Sequence, residues 1–345
     1  MTMRPVPAAR SPLPVAAALA ALALLPAPAT GATLDEVRER GAVRCGVNPG
    51  LRGFAQADSL GRWTGLDVDL CRAVATAVTG DPANVEFVPV DAGERFDRLV
   101  AGDYDLLARN TTWTLDRNAT YGEFAGVNYY DGQGFMVERR TGIRSALELD
   151  GRGVCVTRGT TTELNAIDFF AVGRMRYRPV HYPDTAAAAA GYEAGECVAL
   201  TSDRSGLAAL RADMARPDAH LVLPEVVSKE PLGPMVPTGD TVWENVVRWT
   251  LACTVNAEEM GITSANARER GTATTPAARR LLGLEGRAGR NLGLSPTWCA
   301  DVVAEVGNYG ESYARNVGPG TALDLPRGVN GLWTDGGLLY APPIR

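Results

Sequence analysis

Lysine and histidine are scarce in this 345-residue chain. Lys229 is the one lysine, and His181 and His220 are the two histidines. A single lysine leaves little room for lysine-based covalent catalysis. No C-x-x-C pair occurs among the six cysteines, so with two histidines a metal site is not expected. After about residue 25 no apolar run approaches the roughly 20 residues that a spanning helix needs. The mature chain is therefore expected to be soluble.

The one apolar run lies at the start. "MTMRPVPAARSPLPVAAALAALALLPAPATGA" carries Arg4 and Arg10, an apolar stretch from Val15 to Leu25 and then small residues, with cleavage expected after Ala29 or Ala32. This is the pattern of a secretory signal peptide over residues 1–32, with an uncleaved anchor as the alternative. No cysteine stands at either cleavage position, which argues against a lipid anchor. Losing Arg4 and Arg10 takes the net charge from −6 to −8. That balance disfavours nucleic acid and leaves small solutes or proteins as partners.

Export makes the six cysteines legible. An even count in an oxidising compartment reads as disulfides, although six allow 15 connectivities. A body of this size folds without staples, so bridges would reinforce it by roughly 2–4 kcal/mol each.

From residue 42 short apolar strands alternate with amphipathic helices. "AVRCGV" reads as a strand, and "GLDVDLCRAVATAV" places Leu70, Val74, Ala77 and Val78 at helical spacing. "VEFVPV" follows as a strand. "DAGERFDRLVAG" offers Asp91 as N-cap with Glu94 three residues on, and Phe96, Leu99 and Val100 as the inward face. "YDLLA" is a third strand. The alternation restarts after "GFMVERR" through "RGVCVTRGTTTELNAIDFF", "RMRYRPVHY" and "ECVALTSD". Two such units imply an α/β protein of two lobes with parallel-rich sheets. The expected division is 33–138 for the first part of lobe 1, 139–228 for lobe 2, and 229–345 for the return to lobe 1 with a C-terminal extension. The role of 257–300 stays open, and the Gly-rich end is expected to lie against the first lobe.

Ligands of open parallel sheets sit beyond the carboxyl ends of the strands. "ARNTTWTLDR", "TRGTTTEL" and "TSDRSG" all occupy such ends. They present hydroxyls, an amide, Arg117 and Asp203. A guanidinium fork suits a carboxylate and an aspartate suits an ammonium. Arg117 on one lobe and Asp203 on the other have the charge layout of an α-amino acid zwitterion. Thr160 and Glu163 form a Thr-x-x-Glu capping box, so Glu163 reads as structural rather than as a general base. Asp203 has a competing reading as the N-cap of "RSGLAAL".

The chain resembles the periplasmic solute-binding proteins of polar amino-acid ABC transporters, and among them the general L-amino acid-binding proteins. The resemblance covers nearly all of the mature chain. It rests on "NPGLRGF", "WTGLDVDLCRAVA", "ARNTTWTLDR", "VNYYDGQGFMV", "RGTTTELN", "VSKEPLGP", "NAEEMGITS", "VGNYGE" and "LWTDGGLLYAPPIR" in that order. It implies two α/β lobes on a two-strand hinge, closing over an L-amino acid for delivery to ABC permease subunits. By position, Arg117 would bind the α-carboxylate, with Thr112 and the Thr161 amide as further donors. Asp203 would hold the α-ammonium, Asn110 would offer its backbone carbonyl, and Thr162 would make a side-chain contact. Two positions depart from the pattern. Asn48 stands where many relatives have an aspartate, and Leu51 where they have an aromatic platform. Without that fixed negative charge a preference for basic ligands loses its reason, and a broad amino-acid range is expected. No catalytic residue, cofactor or metal is implied, and a monomer is expected. The alternative is a secreted enzyme on the same fold, such as a prephenate- or arogenate-type dehydratase. No histidine falls in a cleft loop to serve it.

Among the cysteines, Cys155 and Cys197 fall in strands of one lobe and could be neighbours. Cys45 and Cys71 fall on a strand and the helix packed on it, and Cys253 and Cys299 pair by elimination. Free buried thiols are the alternative.

Overall fold

The computed structural model describes residues 1–2, 33–269 and 271–345. The signal peptide expected over 1–32 lies, apart from its first two residues, outside the described residues.

Two five-stranded sheets organise the chain. The first runs in the order Val85–Pro89, Val43–Val47, Leu106–Leu107, Met235–Val236, Glu123–Phe124. Its first three strands are parallel and its last two join antiparallel. The second runs Arg178–Tyr182, Gly153–Thr157, Ala199–Asp203, Gln133–Glu138, His220–Val222. Here too three parallel strands are extended by antiparallel ones.

Local sequence explains the elements. Helix Leu66–Thr79 buries Leu70, Val74 and Ala77, the stripe that its spacing predicts. It begins after Gly65, at φ 138°, where a Cβ would lie 2.0 Å from the Phe54 carbonyl oxygen. Only glycine fits there. It ends at Gly80 in the left-handed region. In the second sheet side chains alternate between faces. Phe135, Val137 and Val154 pack with Phe170 on one face, while Met136, Cys155 and Leu200 pack with Tyr192 and Leu207 on the other. Both faces are covered, as a parallel sheet requires.

The chain passes between the sheets twice. Tyr129–Asp131 and Glu230–Leu232 pair antiparallel, with Glu230 opposite Asp131 and Leu232 opposite Tyr129. Strand Gln133–Glu138, expected to end the first lobe, belongs to the second sheet, so the first passage lies earlier than residue 139. The stretch 220–236 forms three short strands, His220–Val222, Glu230–Leu232 and Met235–Val236. Prolines 224 and 234 fall in the gaps between them and offer no ladder donor.

One helix differs from its sequence reading. Asp91 does not cap it. The helix spans Arg95–Val100, Glu94 precedes it without a side-chain cap, and Val100 is exposed. The helix starts three residues later than expected, and its buried face carries Arg95 and Leu99.

All three cysteine pairs form: Cys45–Cys71, Cys155–Cys197 and Cys253–Cys299, with Cα–Cα separations of 6.2, 5.7 and 5.9 Å. These lie in the usual range for a bridge. The last ties the extension to the long helix Thr241–Glu259. The C-terminal residues Leu332, Leu339 and Ile344 join the first sheet's core, as expected. The Asn330 amide grips the passage strand, accepting the Tyr130 N–H at 2.7 Å and donating to its carbonyl at 2.9 Å.

Candidate functional site

The first-lobe loop after strand Leu106–Leu107 is held by its own short side chains. Thr114 caps helix Leu115–Thr120 by accepting the Arg117 N–H at 3.3 Å. The Arg117 side chain turns back and donates through Nη1 to the Thr112 carbonyl at 2.9 Å, with its guanidinium 5.1 Å from the Phe96 ring centre. Asn110 adopts φ 38°, a left-handed conformation that asparagine tolerates better than most residues. Its N–H donates to Asp67 at 2.8 Å and its side-chain oxygen accepts from Asn48 at 3.1 Å. The run of asparagine and threonines in "RNTTWT" therefore fixes one arginine and one strained carbonyl in place.

Two second-lobe helices point their first turns at the same space. Helix Thr161–Val172 is capped by Thr160, so its first amides lack helical partners. Such a terminus is suited to a carboxylate. Glu163 accepts the Gly159 N–H at 3.0 Å and lies 3.1 Å from His181. Only half of the expected capping box forms: Thr160 accepts the Glu163 N–H at 3.3 Å, while the Glu163 carboxylate takes the Gly159 N–H in place of that of Thr160. Helix Arg204–Asp213 begins after Asp203, whose side chain makes no cap hydrogen bond. The capping reading of Asp203 therefore fails.

Residues of these loops line one cavity. Asn48, Leu51, Asn110, Thr112 and Arg117 line it from the first lobe, and Thr161, Thr162 and Asp203 from the second. Every residue singled out in the sequence for ligand contact thus reaches it. Arg117 and Asp203 are both buried, at 8% exposure each, and neither has an ion-pair partner among the described residues. Burial pushes the Arg117 guanidinium below its ordinary value. It pushes the Asp203 carboxyl well above its own, with Asp131 and Glu230 adding repulsion. Burial likewise moves Asp131 to about 6.

Sequence reasoning missed four residues. Arg95 and Arg109 line the cavity, both buried. Asp67, pushed to about 6 by burial, holds the Asn110 loop. Glu230 lies on the passage between the lobes and is 1% exposed. It accepts from Thr112 at 2.6 Å, Thr161 at 3.1 Å and Asn165 at 2.6 Å, so one carboxylate joins first-lobe and second-lobe hydroxyls. The Thr112 hydroxyl proton, expected to go to a ligand, is directed to Glu230 instead. At the outer edge Arg52 pairs with Asp213 across the lobes, Nε to Oδ1 at 2.6 Å.

An ammonium entering beside Asp203 would lower its raised pKa, so binding releases a proton wherever free Asp203 is protonated. The sign follows. Affinity rises with pH and falls in acid, by up to about tenfold per pH unit below the free-state pKa. Calorimetry from neutral pH down into acid, in buffers of different ionisation enthalpy, should show buffer-dependent heats with net proton release that grows as pH falls. Buffer-independent heats there would contradict a carboxyl poised to take up an ammonium.

Residues 43–263 match the bacterial extracellular solute-binding proteins, family 3. The chain is 48% identical over 336 residues to the general L-amino acid-binding periplasmic protein AapJ of Rhizobium johnstonii, covering 96% of this chain and 98% of that one. It is 48% identical over 329 residues to the glutamate/glutamine/aspartate/asparagine-binding protein BztA of Rhodobacter capsulatus, covering 95% and 97%. Among solved structures, an ABC transporter periplasmic binding protein from Brucella ovis with glutathione bound is 49% identical. It superposes with a TM-score of 0.89 over 91% of this chain and 99% of that one.

Proposed function

We propose that this chain, which belongs to family 3 of the bacterial extracellular solute-binding proteins, is the periplasmic binding component of an ABC importer for L-amino acids. It holds the ligand between its two lobes and presents the closed form to membrane permease subunits. We read it as a monomer that accepts several side-chain types. The names of its relatives support the amino-acid and periplasmic parts of this reading. The observation that carries it is the placement of Arg117 and Asp203. Both are buried, neither is ion-paired among the described residues, and they face one cavity from opposite lobes.

In this reading the α-carboxylate takes the Arg117 fork and the free amides of helix Thr161–Val172. The α-ammonium takes Asp203 and the Asn110 carbonyl. Asn48 and Leu51 add no charge at the side-chain end, which is why the range is broad. Charge-assisted hydrogen bonds contribute roughly 1.5–3 kcal/mol each, offset by the cost of ordering ligand and lobes. A net of about −8 kcal/mol corresponds to micromolar affinity. Closure follows only from tighter binding by the closed form, in which Glu230 and the Arg52–Asp213 pair also bridge the lobes.

A dehydratase on the same fold would need a group placed for proton transfer. The Asp203 carboxylate is accounted for as the counter-charge of an ammonium, and Glu163 is held by Gly159 and His181. Binding is therefore favoured over catalysis. Calorimetry on mature protein, unfolded and refolded to strip carried-over ligand, tests the reading with a panel of L-amino acids. Micromolar or tighter binding of several chemically different side chains is expected. Silence across the panel, with binding of prephenate or arogenate, would overturn it.

A further inference from the structure

Glu230 stands on the second passage between the sheets with both carboxylate oxygens occupied. Oε2 accepts from Thr112 at 2.6 Å and Thr161 at 3.1 Å, and Oε1 from Asn165 at 2.6 Å and Ser228 at 2.5 Å. The loop that carries Thr112 is zipped to this passage, so Glu230 moves with the first lobe. Thr112 and Leu232 form a bridge, the Trp113 N–H donates to the Pro231 carbonyl at 2.8 Å, and the Gly233 N–H to the Thr111 carbonyl at 2.9 Å. Thr161 and Asn165 belong to the second lobe, four residues apart on one face of helix Thr161–Val172. Separating the lobes therefore breaks the Thr161 and Asn165 bonds and leaves those to Thr112 and Ser228.

Hydrogen bonds to a carboxylate are stronger than neutral ones. Glu230 is 1% exposed, so these two are little screened by water or salt. At the outer edge, by contrast, the Arg52 and Asp213 side chains are 41% and 40% exposed, and exposed pairs contribute little. Of the two links Glu230 is the stronger, and it needs no ligand. The turn it grips is the one whose free amides face the cavity. We infer that Glu230 is a positioning residue that draws the first turn of helix Thr161–Val172 toward Arg117, so that part of the protein is closed before ligand arrives. Affinity for every ligand is then set by one common factor, the fraction already competent to bind. This assignment rests on the closing-lobe reading above and not on which amino acid binds.

Two variants test it. Asn165→Ala removes one interlobe bond at a residue that does not line the cavity, and Glu230→Met removes every bond to the carboxylate. Small-angle X-ray scattering of ligand-stripped protein, with the profile calculated from the structure as the closed reference, reads the closed fraction. Wild type should show a measurable closed fraction, Asn165→Ala a closed-to-open ratio about tenfold lower, and Glu230→Met a ratio lower still. Calorimetry should show each Kd raised by the factor by which the closed fraction fell, equally for L-amino acids of different side chains. A residue that served the fold alone would lower the melting temperature and leave the closed fraction unchanged. Stripped wild type that is wholly open, or variants with the wild-type closed fraction, overturn the assignment, and so does a rise in Kd confined to some ligands. If Glu230→Met does not fold, Asn165→Ala decides. If no L-amino acid binds, the amino-acid reading fails, while scattering of stripped wild type and Asn165→Ala still decides whether Glu230 holds the lobes together.

Discussion

Replacing Arg117 with alanine should weaken binding of every L-amino acid by about 100- to 10,000-fold. The lost interaction is a pair of charge-assisted hydrogen bonds to a group that all these ligands share, worth roughly 3–6 kcal/mol together. The loss should therefore be uniform across side chains. Arg117→Lys should recover only part of it, because a point charge cannot reproduce the planar fork. Folding should survive, since burial already disfavours this cation and its hydrogen bond to the Thr112 carbonyl is a single contact. Titration calorimetry beside a thermal melt separates the two effects. A folded Arg117→Ala protein that retains wild-type affinity contradicts the assignment.

Asp203→Asn should produce two effects of opposite sign. Ligand affinity should fall by about 100-fold or more, because the ammonium loses its counter-charge. The ligand-free protein should become more stable. Burial, Asp131 and Glu230 all raise the Asp203 pKa. A carboxyl raised in the folded state gives its full stability below its unfolded pKa, near 3.9, and loses it as pH rises through the folded value. At neutral pH its ionisation therefore costs about 1.4 kcal/mol for each tenfold change in the ionisation constant. The amide removes that cost. Thermal melts of ligand-free protein should show the variant above wild type at pH 7.5, with the gap closing as pH falls toward 4. A variant less stable than wild type at pH 7.5 would mean that Asp203 serves the fold and not the ligand.

Much of this site was legible because it is built from local chemistry at strand ends. Arg117 and Asp203 stand out as opposite charges in loops that topology brings together. Two of the disulfides follow from the elements that carry the cysteines, and Cys253–Cys299 from elimination. What escaped depended on side-chain direction or on contacts distant in sequence. Arg95 reads as the polar face of a helix until the helix starts at residue 95 and turns it inward. Asp67 looks like an ordinary acid at a helix start, yet it is buried and holds a loop 43 residues away. Glu230 sits in "VSKEPLGP", where nothing local shows that it will meet Thr112 and Thr161. The position of the first passage was misjudged because "GFMVE" is equally good as a strand of either sheet.

The claim at the centre is that one ligand bridges Arg117 and Asp203 through its two α-groups. Titrating ligand-stripped protein with L-glutamine, and with its analogues lacking either the α-amino group or the α-carboxylate, tests it most directly. No bulk is added, so the closed cavity does not bias the result. Micromolar or tighter binding of the parent is expected, with each analogue weaker by about 100-fold or more. An analogue that binds as tightly as the parent would contradict it.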